Sequence, residues 1–298
     1  MSEYIIGASP SCFFQVTTKM NLTLPSNPGP IGVFDSGYGG LTILREFIKT
    51  LPQYDYLYLG DNARTPYGTR SFDVVFDFTR EAVEELFHQG AHLVILACNT
   101  ASAKALRTIQ QQVLPTLDSS RRVLGVIRPT VEILDTQSKS GHIGLLATPG
   151  TVNSHSYKME LEKLHPDMTI TEFPCPMWVP LIETGEFANP GADYFVKKYV
   201  DEILTEDPLI DTLILGCTHY PLLLPKIRAF TPPNVKILPQ GGLVADSLKD
   251  YLQRHPDINR KCTTNGSRRF LTTETPSKFD SLATLFLGSE VNSTRIFL

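Results

Sequence analysis

Two cysteines carry the first chemical clue. Cys98 lies in "LVILACNT" (93–100) and Cys217 in "LILGCTHY" (213–220), 119 positions apart (217 minus 98). Each follows an aliphatic run and a small residue and precedes polar residues that suit the opening of a helix. Each thiol is therefore expected at the carboxyl end of a buried strand, beside N–H donors and a positive dipole end, surroundings that lower a thiol pKa. A single cysteine of this kind is more simply a packed thiol, since free cysteine is among the most buried residue types. Two of them, built alike, suit inversion of a stereocentre by proton transfer, which needs a base on one face of a carbon and an acid on the other. A free thiol with a pKa of about 8.5 is only slightly ionised at neutral pH, so each needs a partner. Asp35 on one side and His219, two residues from Cys217, are the candidates.

Two loops add donors. "DSGYGG" (35–40) follows a strand and opens a helix, so its N–H groups could hold an anion, with a tight turn at Gly37, Gly39 and Gly40 as the competing role. Its spacing matches neither the dinucleotide fingerprint nor the P-loop. In "GDNARTPYGTRS" (60–71), Pro66-Tyr67-Gly68 reads as a turn and Ser71 as a helix N-cap. Backbone amides near Tyr67 and Gly68 would then lie on the same edge as Asp35. Zinc is disfavoured because the cysteines lack short paired spacing. A Cys-His nucleophile explains only one of the two cysteines. Cys12, Cys175 and Cys262 lack the strand-end context and are assigned to packing or to bystander positions.

Positioning these groups requires a scaffold that sets several loops on one edge. Short aliphatic runs alternate with segments of helical period. The predicted strands are "IGVF" (31–34), "DYLYLG" (55–60), "LVILA" (93–97), "RVLGV" (122–126), "HIGLLAT" (142–148), "TLILG" (212–216) and "VKILP" (235–239). The predicted helices span 39–51, 71–90, 101–114, 151–164 and 192–204. This alternation points to an α/β protein with mainly parallel sheets covered on both faces. "IGVFDSG" at 31 and "IGLLATPG" at 143 are offset by 112 (143 minus 31), close to the cysteine offset, which suggests two halves built alike. Loops at the carboxyl ends of both sets of strands would face each other across one cleft.

With 298 residues, 42% hydrophobic and 19% charged, the composition is that of an ordinary globular chain of two compact units. No run approaches the roughly 18 apolar residues of a bilayer span. The net charge of -4 (27 basic minus 31 acidic) and the absence of a basic cluster disfavour a nucleic-acid surface. An odd number of scattered cysteines fits reduced thiols, and the N-terminus lacks the basic lead of a secretory signal, so a cytoplasmic location is expected. Residues 1–30, passing through "LPSNPGP", read as an N-terminal extension.

The motifs "IGVFDSGYGGLT", "GDNARTPYG", "ILACNTASA", "GVIRPT", "IGLLATPGTVNS", "VPLIETG" and "LILGCTHYPLL" closely resemble the glutamate racemase family, in order and from about residue 31 to about 250. The resemblance implies catalytic roles for Cys98 and Cys217, assistance from Asp35 and His219, and a further acidic residue, Glu183, on the His219 side. It implies substrate contacts from Asp35, Ser36, Pro66, Tyr67, Gly68, Asn99, Thr100, Thr218 and His219. It also implies two pseudo-symmetric three-layer α/β domains with the site in the cleft between them: 31–122 plus 237–298, and 123–236. The implied reaction interconverts L- and D-glutamate without cofactor or metal and supplies D-glutamate for peptidoglycan. A small-molecule substrate, no nucleic acid, no membrane and a homodimer are the expected partners. An aspartate racemase, a non-catalytic amino-acid-binding relative and a thiol redox protein are the alternatives. The chain departs from the family at "GVIRPT" and at "PQGG" (239–242), where a Ser/Pro-Gly is usual, and its tail from Arg269 reads as a strand, a turn and a helix.

Overall fold

The computed structural model describes residues 24–298; Cys12 and most of the expected N-terminal extension lie outside the described residues. Among the described residues, ten strands form two sheets. They are β1 (Ile31–Asp35), β2 (Tyr56–Gly60), β3 (Leu93–Leu96), β4 (Arg122–Gly125), β5 (His142–Ala147), β6 (Thr169–Pro174), β7 (Thr212–Gly216), β8 (Lys236–Leu238), β9 (Arg268–Thr272) and β10 (Ser293–Arg295). The first sheet runs β10-β9-β2-β1-β3-β4 and the second β6-β5-β7-β8. Every pairing in both is parallel.

The internal repeat has a direct structural counterpart. The order β2-β1-β3-β4 in one sheet matches β6-β5-β7-β8 in the other, so β1 corresponds to β5 and β3 to β7. Every residue of β1, β2, β3 and β7 is buried. Parallel strands covered by helices on both faces demand that, and it explains why these runs are aliphatic throughout rather than alternating. All seven strands predicted from the sequence are present.

The strand β6 has no counterpart among those predictions. It is an edge strand of half-exposed residues, "TITEFP", ending in proline, so it lacks the continuous apolar signature. Two helices expected to be continuous are broken. Segment 101–114 divides around a π-helical turn at Ile109–Val113, and 151–164 is interrupted at His155, whose φ of 51° is left-handed. Neither break is marked by glycine, the usual signal.

The tail from Arg269 supplies β9, which pairs with β2, and the helix Pro276–Leu287. The helix Gln240–Arg254 turns Val244, Ala245, Leu248 and Leu252 inward and packs on the helix Leu41–Thr50, which buries Leu41, Ile43, Leu44 and Phe47. Each buried Val, Leu, Ile or Phe side chain among these contributes about 1.5–3 kcal/mol. Residues just before β1 are tied to the first sheet's surroundings: Arg121 Nη2 donates to the Pro25 carbonyl, and Gly29 bridges to Cys262. Among the described residues no helix is long and apolar enough to cross a membrane.

Candidate active site

Equivalent strands deliver equivalent cysteines. Cys98 follows β3 and caps the helix Asn99–Lys104, its Sγ accepting from the Ala101 N–H at 3.4 Å. Cys217 follows β7 directly. Both line one small cavity of about 100 Å3, together with Ser36, Pro66, Tyr67, Gly68, Asn99, Thr100, Glu183, Thr218 and His219. The loops after β1, β2, β3 and β7 thus converge, as expected for the carboxyl edges of parallel sheets. A larger cavity of about 1000 Å3 opens elsewhere, by Arg107, Arg128 and Tyr251, but holds neither cysteine.

The two thiols are supported differently. Ser36 Oγ lies 3.4 Å from Cys98 Sγ. Burial and the nearby Asp35 charge push the Cys98 thiol up to about 12, against the Ser36 hydroxyl and the Ala101 N–H. Here burial overturns the expected lowering: the one favourable N–H does not offset the loss of water around a thiolate. On the opposite wall, His219 Nδ1 lies 3.8 Å from Cys217 Sγ and Nε2 lies 3.0 Å from Glu183 Oε1. Burial works against a charge on His219, but its contacts with Cys217 and Glu183 prevail and push it up to about 10. Cys98 is therefore held as a thiol, while Cys217 faces an imidazolium.

Asp35, placed among the candidates as Cys98's partner and as a substrate contact, does not line the cavity. Its carboxylate lies behind the wall, accepting from Gly37 N at 2.9 Å and Thr218 Oγ1 at 3.4 Å. Burial raises its pKa, opposed first by the His219 charge. The side chain within hydrogen-bond distance of Cys98 is that of Ser36, which the motif resemblance places only among substrate contacts. Tyr67 also faces away by its hydroxyl, which donates to Asp61 Oδ2 at 2.5 Å, leaving its backbone amide as the group able to serve a ligand.

In "DSGYGG", Gly39 and Gly40 are required by close approach, not by dihedral angle, whereas a β-carbon on Gly37 would make only ordinary contacts. A β-carbon on Gly39 would overlap the Thr218 hydroxyl and the His219 ring. None of the three has a positive φ.

Several cavity residues were not singled out as site residues from the sequence. Cys175, assigned above to packing or a bystander position, does pack in the hydrophobic core at 1% exposure, and it also stands immediately after β6 and lines the cavity. Its strand-end context went unseen because β6 itself did. Thr148, after β5, also lines the cavity, and its hydroxyl lies 3.0 Å from that of Thr100. The equivalence of Thr148 with Ser36 in the "IGLLATPG" repeat was the available signal. Behind His219, Phe286 from the C-terminal helix packs edge-on at 5.2 Å. Among the described residues no group of three or more His, Cys, Asp or Glu side chains is arranged to hold a metal ion.

Comparison with known proteins agrees with this geometry. The family model Asp/Glu/Hydantoin racemase matches residues 39–239. The glutamate racemase of Ruegeria pomeroyi is 40% identical over 272 residues, covering 88% of this chain and 97% of its own; that of Paracoccus denitrificans is 41% identical over 268 residues, covering 86% and 96%. Among solved structures, a glutamate racemase isoform of Bacillus anthracis has a TM-score of 0.83 at 34% identity, covering 91% of this chain and 98% of its own. The glutamate racemase of Francisella tularensis, in complex with D-glutamate, has a TM-score of 0.79 at 33% identity, covering 91% and 97%. The chain belongs to the Asp/Glu/Hydantoin racemase family and is an isomerase, an amino-acid racemase. Within that family it falls among the glutamate racemases.

Proposed function

We propose that this racemase inverts the α-carbon of glutamate by a cofactor-independent transfer between two cysteines. The observation that carries the proposal is that Cys98 and Cys217 follow equivalent strands of two like sheets and line one cavity. In one direction, the Cys217 thiolate, facing protonated His219, takes the α-proton and becomes a thiol. The carbanion left behind collects a proton on its other face from the Cys98 thiol, which becomes the thiolate. One turnover therefore leaves the two thiols with exchanged protonation states, and a turnover in the reverse direction, or proton exchange with solvent, restores the starting form.

Ser36, Pro66, Tyr67, Gly68, Asn99, Thr100, Thr218 and His219 supply substrate contacts in this proposal; Asp35 acts from behind Thr218 and His219. The D-glutamate held by the Francisella relative supports glutamate as substrate. Preorganised donors and exclusion of water stabilise the carbanion. Residues 31–122 plus 237–298 form one domain and 123–236 the other, closing over the substrate. The product serves peptidoglycan synthesis in the cytoplasm, and the enzyme works as a homodimer.

The test is isotopic. With L-glutamate in D2O, the wild type is expected to place deuterium mainly in the D-glutamate formed, and Cys98→Ala and Cys217→Ala each to abolish racemisation. Equal early labelling of substrate and product would rule out two separate bases. Turnover of L-aspartate in preference to L-glutamate would move the substrate assignment.

A further inference from the structure

A closed ring of hydrogen bonds lies behind the Cys98 wall, and its members come from distant parts of the chain. Asn99 Nδ2 donates to Gln240 Oε1 at 2.6 Å, Gln240 Nε2 donates to Tyr157 Oη at 2.7 Å, and Tyr157 Oη donates to Asn99 Oδ1 at 2.7 Å. All three side chains are buried, none more than 2% exposed. Asn99 follows Cys98 in the first half, and Tyr157 lies on the helix Ser156–Leu164 beside the second sheet. Gln240 begins the helix that returns the chain to the first half. Gln240 Nε2 also donates to Thr130 Oγ1 at 2.8 Å, in the helix Ile127–Glu132 where the chain first crosses over. Both crossovers between the sheets therefore meet at one glutamine. It lies in "PQGG", a point where the sequence departs from the family pattern.

The direction of the ring is set from its far end. The Thr130 hydroxyl spends its proton on the Val126 carbonyl at 2.8 Å, so towards Gln240 it can only accept. The Gln240 nitrogen must then face Thr130, giving one N–H there and the other to Tyr157, with the Val126 carbonyl a longer, third contact at 3.4 Å. Its oxygen consequently faces Asn99, which has to answer with nitrogen, and the Asn99 oxygen is left for the Tyr157 hydroxyl. Every amide orientation follows from one backbone carbonyl. In a dry interior each bond of such a ring strengthens the next, and a flipped amide would leave two buried groups unpaired.

We propose that Gln240 and Tyr157 are positioning residues that lock the Asn99 carboxamide with its oxygen engaged and one N–H of its nitrogen left for the substrate. Asn99 lines the cavity, and the locked amide offers a hydrogen-bond donor, which suits a carboxylate of the substrate and not its ammonium. The proposal rests on the reading of Asn99 as a substrate contact. It adds a link from that contact to both crossovers: closing one half on the other orders the amide at the same time.

The experiment measures kcat and KM for both enantiomers in Asn99→Ala, Asn99→Asp, Tyr157→Phe and the double variant Asn99→Ala/Tyr157→Phe, with thermal unfolding alongside. Tyr157→Phe is expected to raise KM for both enantiomers about tenfold, with kcat changed by less than about threefold. Asn99→Ala should raise KM at least as much, and Asn99→Asp more, because it sets an acceptor against a carboxylate. The double variant should match Asn99→Ala, since Tyr157 acts only through Asn99. If Asn99→Ala raises KM and Tyr157→Phe does not, or if the two effects multiply, the positioning role is wrong while the substrate contact stands. If Asn99→Ala leaves KM unchanged, the substrate contact itself is wrong. Should Tyr157→Phe fail to fold, Gln240→Met breaks the same ring with similar volume and carries the same expectations.

Discussion

Glu183 Oε1 and His219 Nε2 lie 3.0 Å apart, joining the helix Trp178–Glu183 to the loop after β7. His219 thus bridges a carboxylate and the sulfur of Cys217, while Cys98 has a serine hydroxyl and one backbone N–H. Two walls that descend from one repeat have acquired unequal chemistry.

Removing the carboxylate tests that bridge. The raised pKa of His219 means that its charge stabilises the fold fully below about pH 6.5, and that this contribution is lost as pH rises through about 10. Glu183→Gln is expected to move the loss to lower pH. The alkaline limb of the racemisation profile should fall by about one unit or more, and kcat should drop by about 100-fold, with a larger loss in the direction that begins at Cys217. Initial rates from each enantiomer between pH 6 and 10 check this, and equal losses in both directions would count against it.

Ser36→Ala probes the other wall. The hydroxyl favours the Cys98 thiolate, so its loss should raise the thiol further and slow alkylation of Cys98 at a given pH. The comparison is best made with Cys217 intact and the modified residue identified by peptide mass spectrometry. Alkylation unchanged or faster would show that the 3.4 Å contact has no influence.

Gly39→Ala puts a methyl group where Thr218 and His219 stand. The loop after β1 or the loop after β7 must then shift, and misplacement of this size costs about 100-fold in rate. Steady-state kinetics should show the loss in kcat, with secondary structure by circular dichroism unchanged.

The C-terminal helix is expected to serve the site as well as the fold. Phe286 is fully buried and packs edge-on against His219, so Phe286→Ala should cost about 3–5 kcal/mol. Denaturant unfolding measures that, and kcat should fall in parallel because the ring loses its backing. Normal stability with normal turnover would remove any such role.

Asp211 links 138–140 to β7: it accepts from Ser138 Oγ and from the N–H groups of Lys139 and Ser140. Burial alone would raise its pKa, but these bonds and Thr212 hold it at about 2. Its stabilising effect is present above about pH 4 and is lost as pH falls towards 2. Asp211→Asn should flatten the acid limb of stability in that window, visible in urea midpoints measured at stepped pH.

Sequence alone determined the sheets' central strands, their parallel character and the pairing of Cys98 with Cys217, because buried parallel strands leave continuous aliphatic runs and a repeat leaves a constant offset. It also marked His219 beside Cys217, since two residues so close in the chain must share one strand end. It did not show β6, because a half-exposed edge strand needs no apolar periodicity, and so it did not show that Cys175, though packed in the core, ends a strand at the cavity. Only the tertiary structure decided that burial outweighs helix-end donors at Cys98, that Asp35 lies behind Thr218 rather than in the cavity, and that Gln240 joins Tyr157 to Asn99. Those outcomes depend on desolvation and on contacts between residues up to 183 positions apart, and neither is written in local sequence.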